Sequence, residues 1–255
     1  VKRVFFNKKG GVGKSSLAVN LAAISAQRGY KTLVIDLDTQ CNATQYLLDG
    51  KEDVSPNIAE YFEQTITFHI HRKSIRDYVH STCFDNLFII PSSPELTFLE
   101  TKLESRHKIY KLRDSLEEMA SVFDRIYIDT APALNFYSLS ALIAADSCVI
   151  PIDCDDFSRK ALYNITNHLE EIKEDHNTGL KIEGIVANQF IKRALLPKRI
   201  IDELKEESYP VFEQTISASV KMRESHQEKK PLIHMAPKHT LTEELSQLFD
   251  ELEPA

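Results

Sequence analysis

Short runs of apolar, often β-branched residues alternate along this chain with longer segments in which apolar positions recur every three or four residues. The first pattern reads as buried strands and the second as helices with one face on a core. Strands are predicted at Arg3–Asn7, Thr32–Asp36, Asn86–Ile90, Arg125–Asp129, Ser147–Ile152 and Ile182–Ala187, with a short one at Tyr209–Phe212. Helices are predicted near Ser15–Arg28, Ile58–Phe62, Glu95–Glu100, Lys108–Ser121, Ser138–Ala144, Lys160–Glu174, Pro197–Glu207, Val220–Gln227 and Leu241–Leu252. Strands that are apolar at every position, each followed by a helical pattern, belong to a parallel sheet buried on both faces. The expected fold class is therefore α/β, three-layered, with a mostly parallel twisted sheet between helices. No repeat, linker or low-complexity stretch divides the chain, so residues 1–255 are expected to form one domain.

Composition narrows the function classes. The net charge of −7 excludes a protein that is basic all over, so any nucleic-acid surface must be local. Cys41, Cys83, Cys148 and Cys154 show no C-x-x-C spacing, which favours reduced thiols and disfavours structural zinc. His69, His71 and His80 lie among Arg72, Lys73 and Arg76, a polar and partly basic surface rather than a metal site. No apolar run reaches the roughly 18 residues of a spanning helix, and Lys8 and Lys9 interrupt the first apolar run too early for a signal peptide. A cytoplasmic protein is expected. Residue 1 is Val, so an initiator Met is expected to be missing from the numbering, and no helix-turn-helix extension is expected before the first strand.

Candidate chemistry centres on Asn7 to Ser16, which follows the apolar run Val4 to Phe6 and opens the first helical pattern. Gly10, Gly11 and Gly13 allow backbone amides around Val12 to close in on phosphate oxygens, and a helix N-terminus adds unpaired donors and partial positive charge. Lys14 would reach the β- and γ-phosphates, the Ser15 hydroxyl would ligate Mg²⁺, and Ser16 completes the loop. The general pattern G-x-x-x-x-G-K-[ST] asks for Gly where Lys8 stands. After the next strand, Asp36 and Asp38 stand two residues apart, so both carboxylates face one side at the sheet's carboxyl edge, where ligands bind in such folds. Asp36 is expected to order the Mg²⁺ shell and Asp38 to orient or deprotonate an attacking water. Asp129 ends a third apolar strand, the usual place for an acid that holds Mg²⁺ through one of its waters.

Lys9-Gly-Gly-Val-Gly-Lys14-Ser15 resembles the deviant loop of the ParA/MinD family of P-loop ATPases. The resemblance implies that Lys9 crosses to the nucleotide of a second subunit in an ATP-sandwich dimer. The segment Asp36 to Thr44 is similar to the family's D-x-D-P-Q-x-N-A-T, with Thr39 for Pro, and places Asp38 at the catalytic aspartate. Asp129-Thr-Ala-Pro132 resembles D-x-P-P, with Ala131 departing. Ser147 to Asp156 resembles a strand ending in P-x-Q-x-[DE], with Asp153 where Gln is common; Asp155 and Asp156 fit either basic groups of a second subunit or a solvated acidic loop. Asn188 falls where the family reads the adenine edge, and its amide offers the donor and acceptor that adenine requires. A plain loop asparagine is the other reading.

Lys192, Arg193, Lys198 and Arg199 come with no carboxylate among them, and Lys221 and Arg223 open a second cluster ahead of Lys229 and Lys230. In an acidic chain such clustering marks a candidate phosphate-contacting face, although lysine-rich helix surfaces also occur without purpose. The second cluster resembles the family segment I-P-R-x-V, with Ser217 and Ala218 replacing its Pro-Arg pair. Leu241–Leu252 is amphipathic but acidic, unlike the basic lipid-holding tail of MinD-type relatives. The expectation is thus a Mg²⁺-dependent, slow ATPase of the ParA type: a homodimer in its ATP state, binding DNA without sequence preference, nucleoid-associated, and stimulated by a ParB-like or other cargo adaptor. The alternative is a MinD-like membrane-cycling ATPase; no cysteine between Asp129 and Ala145 supports an iron–sulfur relative, and no tyrosine beyond Tyr209 supports a tyrosine kinase.

Overall fold

The computed structural model describes residues 1–51, 53–68 and 71–253, the last without the side chains of 156–159. His69, and the side chain of Asp156, therefore lie outside the described residues. Among the described residues seven strands form one sheet: β1 (Lys2–Phe5), β2 (Thr32–Asp36), β3 (His80–Ser81), β4 (Leu87–Ile90), β5 (Arg125–Asp129), β6 (Ser147–Ile152) and β7 (Lys181–Ala187), in the order β3-β4-β2-β5-β1-β6-β7. All described pairs are parallel except the β3–β4 edge.

The period-two alternation of each strand decides which layer its side chains join. Val4 of β1, Leu33 and Ile35 of β2, Ile126 and Ile128 of β5, and Ile150 of β6 share one core. It is covered by α3 (Ile58–Ile66), α4 (Leu96–Ser105), α5 (Lys111–Met119), α6 (Phe136–Ala144), α7 (Asp156–Asp175) and α8 (Leu195–Glu206). The intervening Phe5, Val34, Tyr127 and Val149 face the other core. That side is covered by α1 (Lys14–Gln27), α2 (Asn42–Leu47), α10 (Leu232–Met235) and α11 (Thr240–Leu252), with α9 (Val220–Gln227) at its margin. Each fully buried Leu or Ile contributes roughly 1.5–3 kcal/mol, so the two layers supply most of the drive to fold.

Two consequences of this layout set up the site. Parallel pairing puts the carboxyl end of every strand but β3 on one edge, and the register places Asp36 opposite Asp129 and Asp129 opposite Phe5. At the other edge the sheet is tied to the end of α11. Arg3, 3% exposed, donates to Glu183 and Glu253 and to the Leu252 carbonyl, while Arg125 grips Glu253 from the side at 2.6 and 2.7 Å.

The predicted strand at Tyr209–Phe212 is corrected. Val211 makes a single bridge to Ile185; Ile185 N–H donates to the Pro210 carbonyl and Phe212 N–H to the Ile185 carbonyl. Pro210 has no N–H to continue a ladder, so the segment stops at one bridge. Opposite it Gly184 is required, because a β-carbon there would sit 2.3 Å from the Phe212 ring. The stretch from Leu47 to Phe84, where only a helix near Ile58–Phe62 is predicted, holds α3, capped by Asn57, a 3₁₀ turn at Ile75–Tyr78 and edge strand β3. Among the described residues no helix is long and apolar enough to cross a membrane.

Candidate nucleotide-binding site

The loop after β1 is built on glycine. Gly11 and Gly13 have φ of 77° and 90°, left-handed values that a side chain resists. At Gly13 there is also no room, because a β-carbon would lie 2.1 Å from the Asn188 amide nitrogen. No side chain caps α1 among the described residues, leaving its first-turn amides to a ligand. Gly10, Gly11, Gly13, Lys14, Ser15 and Ser16 line a cavity of about 700 Å³, joined by Asp38, Tyr46, Asn188, Ala218, Arg223 and His226. Val12 is buried below the loop and presents its carbonyl to Asn188.

Lys14 is 6% exposed, and its Nζ reaches the Lys9 carbonyl at 3.3 Å. Burial lowers its ammonium pKa, against a weaker upward pull from Asp129 and Asp38. A cation kept from water next to open amides is strongly attractive to phosphate.

The three acids sit together but differ. Asp36 is fully buried and its oxygens are claimed: Oδ1 accepts from Asp38 N–H at 3.0 Å, and Oδ2 from the Thr44 N–H and hydroxyl at 2.8 and 2.7 Å. Burial pushes its carboxyl up to about 6. Asp36 thus organises the turn that delivers Asp38, and α2 through Thr44. Asp38 is 5% exposed, accepts from Gln40 N–H at 3.0 Å and lines the cavity. Asp129 is fully buried, and among the described residues neither carboxylate oxygen meets a partner within hydrogen-bond geometry. Burial and then the neighbouring Asp36 raise its pKa well above the carboxylate range, with Ser15 and Lys14 pulling the other way. A buried carboxylate without a partner is costly unless a cation is bound beside it. Asp129, with the Ser15 hydroxyl, is a donor set that fits Mg²⁺.

Lys9 turns away from the cavity. Its Nζ lies 2.7 Å from Asp153 and 2.5 Å from Asp155. Asn188 donates to the Val12 carbonyl at 2.8 Å, and the adjacent Gln189 to the Gly11 carbonyl at 2.5 Å, so the end of β7 braces the loop. Sequence reasoning missed Gln189, and also His226, whose Nε2 lies 3.0 Å from the Ser16 hydroxyl. No spacing links His226 to the loop; only the packing of α9 on α1 does. Of the predicted basic face, Lys192 pairs with Glu244, Arg199 with Glu203 and Lys221 with Glu224, whereas Arg193, Lys198 and Arg223 are exposed.

A family model described as an AAA domain matches residues 2–182. The chain is 33% identical to the chromosome partitioning protein ParA of Myxococcus xanthus over 231 residues, 89% of this chain and 78% of that protein. Among solved structures, apo McdA of Cyanothece superposes with a TM-score of 0.85 at 23% identity, covering 98% of both chains. The septum site-determining protein MinD of Pyrococcus horikoshii, complexed with Mg-ADP, gives 0.79 at 19%, covering 99% of this chain and 96% of that one.

Proposed function

We propose a function from one premise: this chain belongs to the ParA/MinD family of P-loop ATPases, and is a partitioning or positioning ATPase. It binds ATP with Mg²⁺ in the cavity over Gly10 to Ser16, dimerises in the ATP state, holds DNA non-specifically, and releases it when a cargo-bound partner stimulates slow hydrolysis. The observation that carries the nucleotide site is the convergence forced by strand register: the loop after β1, buried Lys14, and the buried Asp129 carboxylate, unsatisfied among the described residues, all meet at one sheet edge.

Each group then has a role. The open amides of α1 and Lys14 bind and orient the triphosphate, and Asp38 orients the attacking water. Ser15 and Asp129 would hold Mg²⁺, which supplies neutralisation of charge on the phosphate oxygens. Lys9 of one chain would complete the site of the other. Asn188 supports the loop and stays near enough to the cavity to meet the base.

DNA retention across a salt series in the presence of ATP tests this reading. If Lys192, Arg193, Lys198 and Arg199 each neutralise a phosphate, log K should fall with log salt at a slope of roughly −3 to −4 per protomer, about double in the dimer. Lys14→Ala is expected to lose nucleotide and DNA together, and Lys9→Ala to keep nucleotide but lose DNA. A flat salt dependence removes the DNA assignment.

One observation favours a second reading. Ile191, Leu195 and Leu196 are 58%, 83% and 43% exposed beside those same cations, a composition that also suits an anionic membrane surface. ATP-dependent sedimentation with anionic liposomes, and none with DNA, would select it.

A further inference from the structure

The contact made by Lys9 has no place in the nucleotide site and yet is well built. Its ammonium spends two of three donors on Asp153 and Asp155, which lie at the end of β6. Burial alone would lower the Lys9 pKa, but the two carboxylates reverse this and hold it above the ordinary lysine value. Both sides of the contact are fixed to one frame. The Asn7 side chain accepts from Lys9 N–H at 2.9 Å and donates to the Pro151 carbonyl at 2.7 Å, while Phe6 N–H donates to the Val149 carbonyl. Between the acids, Cys154 is buried at 3% exposure with φ of 48°, a left-handed turn that leaves both flanking carboxylates on Lys9.

Resting on the reading that Lys9 serves a second subunit, we infer that Asp153 and Asp155 are positioning residues that clasp Lys9 within its own chain, and that nucleotide-driven pairing of two chains begins by breaking this clasp. An ammonium can satisfy these carboxylates or a partner's phosphate, not both. Without nucleotide the clasp keeps Lys9 from an empty neighbouring site, and with nucleotide the triphosphate must outcompete it. Asp153 stands where the resembling segment commonly has Gln, so here both contacts are ionic rather than one. The Lys9 and Asp155 side chains are 32% and 42% exposed, so solvent weakens the clasp to something several-fold in population, suited to setting a threshold rather than a block.

The test uses the full chain and a double variant, Asp153→Asn with Asp155→Asn, after equal melting temperatures establish that both fold. Competitive acetylation of amines without nucleotide, read by mass spectrometry against exposed Lys230, should show Lys9 labelled several-fold faster in the variant. Sedimentation across a range of non-hydrolysable ATP analogue should show the half-point of dimer formation about three- to tenfold lower in the variant. Unchanged labelling overturns the clasp. A half-point that stays or moves to higher analogue overturns it too, since the acids then serve the dimer. Labelling that rises while neither protein dimerises overturns the second subunit's need for Lys9 instead, and leaves the intrachain contact established.

Discussion

Asp38→Asn is expected to lower the rate of phosphate release from ATP by about 10²–10⁴-fold, the contribution typical of a positioned acid–base group, while nucleotide binding persists. The separation follows from where the side chain sits. In the proposed site binding draws on the α1 amides and Lys14, which the substitution leaves alone. Asp38 hangs instead from a turn fixed by its own N–H on Asp36 and by Leu37 N–H on the Asp129 carbonyl at 3.0 Å, and it lines the cavity. Asn keeps the shape and the Gln40 contact but cannot accept a proton from water. Steady-state phosphate release beside binding of a fluorescent ATP analogue measures both halves; unimpaired turnover would remove Asp38 from the chemistry.

The second large effect is on stability. Glu253→Gln is expected to cost about 2 kcal/mol at neutral pH, the scale of a hydrogen bond to a charged group, because the carboxylate is half-buried and Arg3 keeps Glu183 and the Leu252 carbonyl. For a chain of 255 residues that is a fall in Tm of roughly 4–8 °C. The pH dependence has a definite sign. Burial would raise the Glu253 carboxyl, but hydrogen bonds from Arg125 and Arg3 hold it below the ordinary glutamate value. Its stabilisation is therefore complete above the unfolded pKa of about 4.3 and fades as pH drops through the lower folded value. Urea melts from pH 7 down to 3 should show wild type and variant converging at the acid end. A gap that persists at pH 3 would mean that packing, not charge, is at stake.

The parts of the site legible in sequence were those written in contiguous residues. Glycines, Lys14 and Ser15 carry the loop, Asp36 and Asp129 each close an apolar strand and Asp38 follows two residues after the first, so their meeting needed only a parallel sheet. That Thr44 claims an oxygen of Asp36 but not of Asp129 was hidden, because it depends on packing rather than on spacing. Lys9 was singled out, but its partner Asp153 lies 144 positions away and is brought near only by the β1–β6 pairing. Ser16–His226 and Gln189–Gly11 are hidden for the same reason. Of the elements, α2 has six residues and opens at Cys41 without a side-chain cap, so it carries neither a long period nor a start signal. Tyr209–Phe212 has strand composition, and Pro210 overrules it.

That proline also bears on how the molecule behaves when crowded. A sheet border with a full row of amides and carbonyls invites another chain to add a strand, and stacked additions grow into fibres. Here one border ends in the two-residue β3, and the other carries a short flap whose Pro210 offers no donor. Copies packed at high local concentration on a common scaffold would find little purchase for lateral growth on either side.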